Sequence, residues 1–164
     1  MSLWFLVLIQ IAILAYAFVG GVFLAFSDFI MRSLANTSDG AGVEAMQVIN
    51  REVYRWVFMV LFLGLVPVSL VIIGYTVTQL SGPAAMLLTL AGLTYLIGCF
   101  GVTIFFNVPM NEALAGIEIS NSTTQDYWTQ TYVPHWTFWN TVRTLACAMS
   151  SGLLLFGLVW TMHA

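Results

Sequence analysis

The amino-acid sequence predicts an all-α integral membrane protein, a single membrane domain over residues 1–164 in which four antiparallel helices form a bundle. Of the 164 residues, 60% are hydrophobic and 7% are charged, and the mean hydropathy is +0.95. A soluble domain is typically about 45–50% apolar and about 25% charged. The few charged residues also leave three long charge-free runs. In lipid each backbone N–H group needs an internal partner, so these runs should be helical. A water-soluble monomer and a disordered chain are therefore excluded.

The first charge-free run, residues 3–27, has 25 residues. A membrane-spanning helix needs about 20, so the run predicts a first span at about 3–27. The triplet Ala15-Tyr16-Ala17 is similar to a signal-peptide cleavage site, but no basic segment precedes it and the apolar run continues to Phe26. We therefore expect a retained helix rather than a cleaved signal peptide.

The second charge-free run, residues 56–111, has 56 residues, which is too long for one crossing and right for two with a short turn. The tripeptide Ser81-Gly82-Pro83 supplies that turn, because Gly and Pro interrupt helices. The run predicts spans at about 56–79 and 84–106. A third run, residues 144–164, contains no Asp, Glu, Lys or Arg over 21 residues and predicts a fourth span at about 141–161.

The charged side chains all lie at one face of the predicted bundle, because four crossings place both termini on the opposite face. The positive charges are the four arginines, Arg32, Arg51, Arg55 and Arg143, because the chain has no lysine. The seven acidic residues are Asp28, Asp39, Glu44, Glu52, Glu112, Glu118 and Asp126. Positive charge is enriched in cytoplasmic loops. We therefore expect loops 28–55 and 107–140 on the cytoplasmic side of a bacterial inner membrane.

Tryptophans at both ends of the spans are typical of the aromatic belts at membrane interfaces. Trp4 and Trp160 mark one interface, and the other is marked by Trp56, Trp128, Trp136 and Trp139. The two cysteines, Cys99 and Cys147, lie inside spans and are interpreted as small apolar packing residues. A disulfide between them stays open, because both lie at a similar distance from the charged face.

Both loops on the charged face show helical patterns, which predicts a helical polar cap over the mouth of the bundle. In the first loop, apolar residues recur at helical spacing from Val43, which predicts a helix from about 43 that runs into the second span. The third loop is longer, and a structureless loop of that length is uncommon. It predicts short helices near 110–118 and 124–132, the second of which Pro134 should end.

Asn107 and Asn111 flank Pro109 at the end of the third span. A proline removes a backbone donor and disturbs the turn before it. The two amides are four residues apart and would face the same way. They would form either the wall of a polar pocket or the satisfied end of a broken helix.

A second polar group lies at the start of the fourth span. Trp136, Trp139, Asn140 and Arg143 recur at spacings of three, four and seven and so share one face of a helix. A charge at membrane depth is costly, so Arg143 should have a partner or face a cavity. A structural anchor and a ligand-facing role both stay open for this arginine.

Composition and motifs exclude several classes of function. The chain has no basic footprint for nucleic acid and no P-loop, dinucleotide fingerprint or serine-nucleophile motif. No metal site is predicted, because neither a Glu-x-x-His pair nor a cysteine framework is present. The two histidines, His135 and His163, would lie about 40 Å apart on a helix and cannot share one haem. No cofactor is predicted, while a haem held by His135 alone stays open.

Four segments, spread in order along nearly the whole chain, resemble segments of a known protein family. They are Gly21-Val22-Phe23-Leu24-Ala25-Phe26-Ser27 leading to Met31; Ala45-Met46-Gln47 with Ile49-Asn50; Asn107-Val108-Pro109-Met110-Asn111-Glu112-Ala113-Leu114; and Trp136 with Trp139-Asn140-Thr141-Val142-Arg143-Thr144. With these segments the chain resembles the anthrone oxygenase family of small four-span membrane proteins. It departs from many relatives in having Met31-Arg32 where they have Met-Pro.

The resemblance implies a function, because the family takes its name from fungal enzymes that oxidise polyketide anthrones to anthraquinones with O₂. It implies an O₂-using oxidoreductase that acts on a flat, lipid-soluble phenolic or quinone-like molecule. Such a site needs a flat apolar slot, a base and donors for an oxyanion. Trp136 and Trp139 would wall the slot, the base would be Asp28 or His135, and the donors would be Arg143, Asn107, Asn111 and Asn140.

A second hypothesis is a non-catalytic module that binds a lipid, a quinone or a small aromatic molecule, or that serves as a subunit of a membrane complex. The absence of a clear set of catalytic or metal-binding residues favours it. Its partners would be the bilayer and a small hydrophobic aromatic ligand, and a homo-oligomer stays open. A haem protein is the weaker alternative. A channel or transporter is least favoured, because no charge or histidine lies deep in the second or third span.

Overall fold

The computed structural model describes residues 1–37, 40–55, 57–118 and 122–163, and within these residues all regular structure is helical. The helices are α1 (Leu3–Ala35), α2 (Ala41–Glu52), α3 (Val57–Gln79), α4 (Gly82–Ala115) and α5 (Thr124–His163). All but α2 are long and apolar enough to cross a membrane. The predicted all-α membrane bundle is confirmed. Two residues of the sequence predictions, Asp39 and Trp56, lie outside the described residues.

The four long helices form a closed ring. α5 packs against α1 and α4 along most of its membrane-spanning length, and α3 completes the ring against α4 and, over a shorter stretch, α1. The outer surface is apolar, as lipid requires, with large side chains about two-thirds exposed at Phe18, Ile97 and Phe156. Because lipid is as apolar as leucine, close packing and internal hydrogen bonds hold such helices together.

Buried hydroxyl groups are satisfied within the ring. The hydroxyl groups of Tyr16 and Ser69 lie 2.7 Å apart, and the Tyr95 hydroxyl donates to the carbonyl of Phe62 at 2.6 Å. Cys99 and Cys147 are buried free thiols whose sulfur atoms lie 3.4 Å apart. No disulfide joins α4 to α5, so these two residues pack as neutral side chains.

α3 continues through Pro67, and two further helices continue through prolines that follow a π turn. α4 runs through Pro109 and α5 through Pro134, and a wider π turn directly precedes each proline, at Thr103–Asn107 and at Trp128–Tyr132. A helical proline clashes with the carbonyl four residues earlier. In both helices that carbonyl belongs to the π turn, where hydrogen bonds reach to the fifth residue. The prediction that Pro134 ends a helix is therefore wrong, and the helices that contain the third and fourth predicted spans continue past residue 106 and begin before residue 141.

The predicted cap is formed by α2 and by the ends of α4 and α5 beyond the membrane. The 40 residues of α5 would extend about 60 Å, twice the thickness of the hydrocarbon core. α2 ends in a 3₁₀ turn at Val53–Arg55 instead of running into α3 as predicted. Gln47 of α2 donates to the carbonyls of Leu114 at 2.9 Å and Ile117 at 3.2 Å, and so caps the end of α4.

The cap has an apolar core of its own, centred on Met31, Met46, Leu114 and Trp128. Trp128 and Trp136 are 1% and 4% exposed. Their predicted place in a lipid-facing belt is therefore wrong, because both pack inside the protein. They lie in a column with Tyr132, whose ring centroid is 5.3 Å from that of Trp128 and 6.3 Å from that of Trp136.

Replacing Gly20 with alanine should lower the unfolding temperature of the detergent-purified protein, whereas Gly21→Ala should not. A Cβ atom on Gly20 would lie 2.9 Å from Cβ of Cys147 across the α1–α5 contact, and one on Gly21 would meet nothing within 4 Å. Overpacking costs about 1–3 kcal/mol. Thermal unfolding followed by circular dichroism measures the difference, and equal stability of the two variants would contradict this close contact.

Candidate functional site

A cavity of about 500 Å³ lies at the charged end of the bundle, bounded by α2 and by the adjoining parts of α1, α3, α4 and α5. Ligand pockets typically measure about 300–1,000 Å³. Aromatic rings provide much of the wall, at Phe23, Phe26, Phe58, Phe62 and Trp136. The few polar side chains in the described wall are Asn50, Tyr54, Thr103, Asn111 and Arg143.

Arg143 of α5 lines the cavity and is 5% exposed. Its guanidinium carbon lies 4.2 Å from the ring centroid of Phe23 and 5.3 Å from that of Trp136, within the range of cation–π attraction. The group donates to Oδ1 of Asn140 at 2.6 Å and to Oγ1 of Thr103 at 3.3 Å. Its Nε atom has no partner among the described residues. Neutral groups alone therefore hold this buried cation.

Asn140 fixes the orientation of that guanidinium. Its Nδ2 atom donates to the carbonyl of Phe23 at 2.6 Å and to Oγ of Ser27 at 2.7 Å, which leaves Oδ1 to accept from Arg143. Ser27 lies in the π turn Phe26–Ile30 of α1 and Phe23 lies three residues before that turn. Asn140 is fully buried and does not line the cavity. It is a positioning residue that connects α1 to Arg143.

Asn111 presents its amide N–H groups to the cavity. Its Oδ1 atom accepts from the hydroxyl of Tyr132 and from Nε1 of Trp136, both at 2.8 Å. Because two donors point at the oxygen, the hydrogen-bond network assigns the other end of the amide as NH₂. Asn50 donates to the same Tyr132 hydroxyl at 3.4 Å. The cavity therefore carries hydrogen-bond donors from both Asn111 and Arg143.

Asn107 and Trp139 do not line the cavity. Asn107 is buried and donates to the carbonyl of Trp136 at 3.3 Å, while its Oδ1 atom has no partner among the described residues. Trp139 instead stacks on Phe106, with ring centroids 3.6 Å apart, on the other side of the α4–α5 contact. Of the predicted site residues, the structure brings Arg143, Asn111 and Trp136 together in one wall.

The two predicted bases also lie outside the cavity. Asp28 is exposed on the π turn of α1, and His135 is exposed on α5, where its Nδ1 atom lies 2.7 Å from the carbonyl of Thr131. Their catalytic roles stay predictions, as does a haem on His135. Among the described residues, no three His, Cys, Asp or Glu side chains lie close enough together to hold a metal ion.

Several cavity residues were not singled out from the sequence as site residues. Phe23 and Asn50 lie in the segments that carry the family resemblance, and that signal could have found them. Thr103 and Phe62 lie in uniformly apolar runs and carry no such signal. Their positions depend on how each helix is rotated in the bundle.

Comparison with known families gives one match. The model of the anthrone oxygenase family matches residues 51–153, more than half of the chain. The chain belongs to the anthrone oxygenase family. Searches of curated proteins and of solved structures find no match. The anthrone oxygenase match contains Asn111, Trp136 and Arg143, and Phe23 and Asn50 of the cavity wall precede it.

Replacing Arg143 with methionine should leave the unfolding temperature in detergent unchanged or raise it. A buried charge without a carboxylate partner bears a desolvation penalty, and replacing buried charges by apolar side chains of similar volume is often neutral or stabilising by about 1–4 kcal/mol. Thermal unfolding of Arg143→Met beside the exposed control Arg32→Met tests this. A clear loss of stability in the Arg143 variant alone would assign the arginine a structural role.

Proposed function

We propose that the protein is an O₂-using oxidoreductase that acts on a flat, lipid-soluble phenolic or quinone-like molecule bound in this cavity. The observation that carries the proposal is Arg143, a buried cation without a described carboxylate partner in an aromatic-walled cavity. Such a charge marks a functional site by default in a membrane protein. Membership of the anthrone oxygenase family supports the class of reaction.

The cavity suits a polycyclic aromatic ligand. Aromatic rings attract one another in stacked and edge-to-face arrangements, and rings from α1, α3 and α5 surround the space. The polar side chains lie among these rings rather than at a separate polar end. A flat ligand with one or two oxygen atoms would match this distribution better than a flexible lipid chain, which needs no hydrogen-bond donor.

The chemistry proposed for an anthrone follows from its acidic benzylic C–H group. Loss of that proton gives an electron-rich enolate, which reduces O₂ directly and forms a carbon–oxygen bond at the benzylic carbon. The resulting hydroperoxide loses water, and the carbon becomes the second carbonyl group of an anthraquinone. One anthrone and one O₂ are consumed, and one anthraquinone and one water are formed. Hydrogen bonds from Arg143 and Asn111 to the enolate oxygen would stabilise the negative charge.

A non-catalytic binding module is the second candidate function, and one observation favours it. The described residues that line the cavity include no Asp, Glu, His or Lys side chain. A bound ligand would therefore contact no ordinary general base. Copurification of an unchanged aromatic molecule, bound without O₂ uptake, would support this candidate against the oxidoreductase.

We also propose that the charged face is cytoplasmic in a bacterial inner membrane. The support is that all four arginines of the chain belong to that face. Arg143 is buried at the cavity, and Arg32, Arg51 and Arg55 are exposed in the cap. The proposed orientation rests on the three exposed arginines.

The detergent-purified protein should consume O₂ when it is given a simple anthrone, and Arg143→Met should lower the rate by about 100-fold or more. Removing one oxyanion donor costs about that much in other enzymes. Asn111→Asp should have a similar effect, because it keeps the acceptor for Trp136 and Tyr132 but replaces the N–H donors with negative charge. An oxygen electrode measures the uptake, and the absorbance of the anthraquinone measures the product.

The exposed Arg32→Met variant is the matched control for that experiment and should retain the rate. Uptake no faster than the spontaneous oxidation of the anthrone, or uptake that survives the loss of Arg143, would contradict the proposed reaction at this site.

A reporter fused after residue 164 should behave as a protein outside the cytoplasm. Four crossings place the C-terminus on the face opposite the charged cap, so alkaline phosphatase should be active there and green fluorescent protein should be dark. The same two reporters inserted in the cap loop, between residues 36 and 40, should give the opposite result. An active phosphatase in the cap loop would reverse the proposed orientation.

A further inference from the structure

Arg143 and Asn111 offer the cavity free hydrogen-bond donors and no free acceptor. A guanidinium has five N–H groups, and Arg143 uses two of them in the hydrogen bonds to Asn140 and Thr103. Three remain, of which the Nε–H is buried out of reach, so two N–H groups of the terminal nitrogens are left for a ligand. Asn111 adds its amide N–H groups, because its oxygen is already occupied. Such a set of groups recognises an oxygen atom that carries negative charge.

The charge of Arg143 is not neutralised by any described side chain. The other charged and imidazole side chains described at this end of the bundle are all exposed and line no part of the cavity: Asp28, Arg32, Glu44, Arg51, Glu52, Arg55, Glu112, Glu118, Asp126 and His135. Besides Arg143, the one titratable side chain of the described wall is the phenol of Tyr54.

A neutral ligand would leave this cation unpaired in an apolar space. An anionic ligand would pair with it, and the low dielectric would strengthen the attraction.

The side chains of the described cavity wall also include no ordinary proton acceptor. A carboxylate or imidazole in contact with the ligand is the usual general base, and the described wall contains neither. A ligand that enters in its deprotonated form needs no such group.

We propose that the cavity takes its substrate as a preformed anion, a planar polycyclic phenol or enol whose oxygen atom binds to Arg143 and Asn111, and that no side chain of the protein removes the proton. The inference rests on the proposed function in assigning the cavity as the substrate site. It narrows the substrate class to acidic aromatics whose charge is delocalised over the rings. Delocalisation lowers the cost of placing that charge between Phe23, Phe58 and Trp136.

A coloured ligand that cannot react tests the inference apart from catalysis. 2-Hydroxyanthraquinone has no benzylic C–H group, and its neutral and anionic forms have different visible spectra. The full-length protein in an uncharged detergent should bind it as the anion. The midpoint of ionisation should lie at least one pH unit lower for the bound dye than for the dye in protein-free micelles, which corresponds to a tenfold preference for the anion.

Variants of the wall residues test whether Arg143 and Asn111 cause the lower midpoint of ionisation of the bound dye. Arg143→Met and Asn111→Asp should abolish the shift, Arg143→Lys should retain part of it because the charge remains, and the exposed Arg32→Met should retain all of it. The methyl ether 2-methoxyanthraquinone, which cannot ionise, should bind at least tenfold more weakly than the dye. A dye that binds in its neutral form, a shift that survives in Arg143→Met, or no binding would overturn the inference.

The two proposals fail in distinguishable ways. Anion binding without O₂ uptake from any anthrone would refute the oxidoreductase and leave the anion site in place. O₂ uptake that is abolished by Asp28→Asn or His135→Gln would retain the oxidoreductase and refute the preformed anion. If both hold, the pH at which uptake is half-maximal should follow the acidity of the anthrone, moving by the same amount when a more acidic analogue is used.

Discussion

The arrangement of the candidate site depends on one constraint, the burial of the Arg143 guanidinium in an apolar bundle. A cation in an apolar bundle must be surrounded by dipoles or aromatic faces, and here the surroundings come from three helices: Asn140 on α5, Thr103 on α4 and the Phe23 ring on α1. Asn140 in turn hydrogen-bonds to α1. The contacts that hold the charge therefore come from three helices that bound the cavity, and the charge lies in the cavity wall.

The membrane spans could be predicted because a charge-free run of about 20 residues has one stable structure in lipid. The lengths of the helices could not be predicted from the sequence. Pro109 and Pro134 are ordinary helix breakers in a sequence, and a π turn that accommodates a proline leaves no mark in composition or periodicity. Because the π turns accommodate the prolines, α4 continues to Ala115 and α5 begins as early as Thr124, so both helices reach into the cap.

The site was predictable where its residues share a helix face. Trp136 and Arg143 are seven residues apart, and spacing alone places them together. Asn111 was found through its spacing from Asn107, although only Asn111 reaches the cavity. Contacts between helices were not predictable, because they depend on how each helix rotates about its axis. Thr103 is the example, a hydroxyl in an apolar run that becomes a partner of the buried cation.

The unbroken course of α5 has a mechanical consequence. One continuous helix carries Trp128 in the cap and both Trp136 and Arg143 at the cavity, so a shift of the helix along its axis would displace all three. α2 is the one described helix bounding the cavity that is too short to cross a membrane, and it ends in the 3₁₀ turn Val53–Arg55. Two hydrogen bonds from Gln47 tie α2 to the end of α4. α2 therefore cannot leave the cavity wall unless both hydrogen bonds are broken.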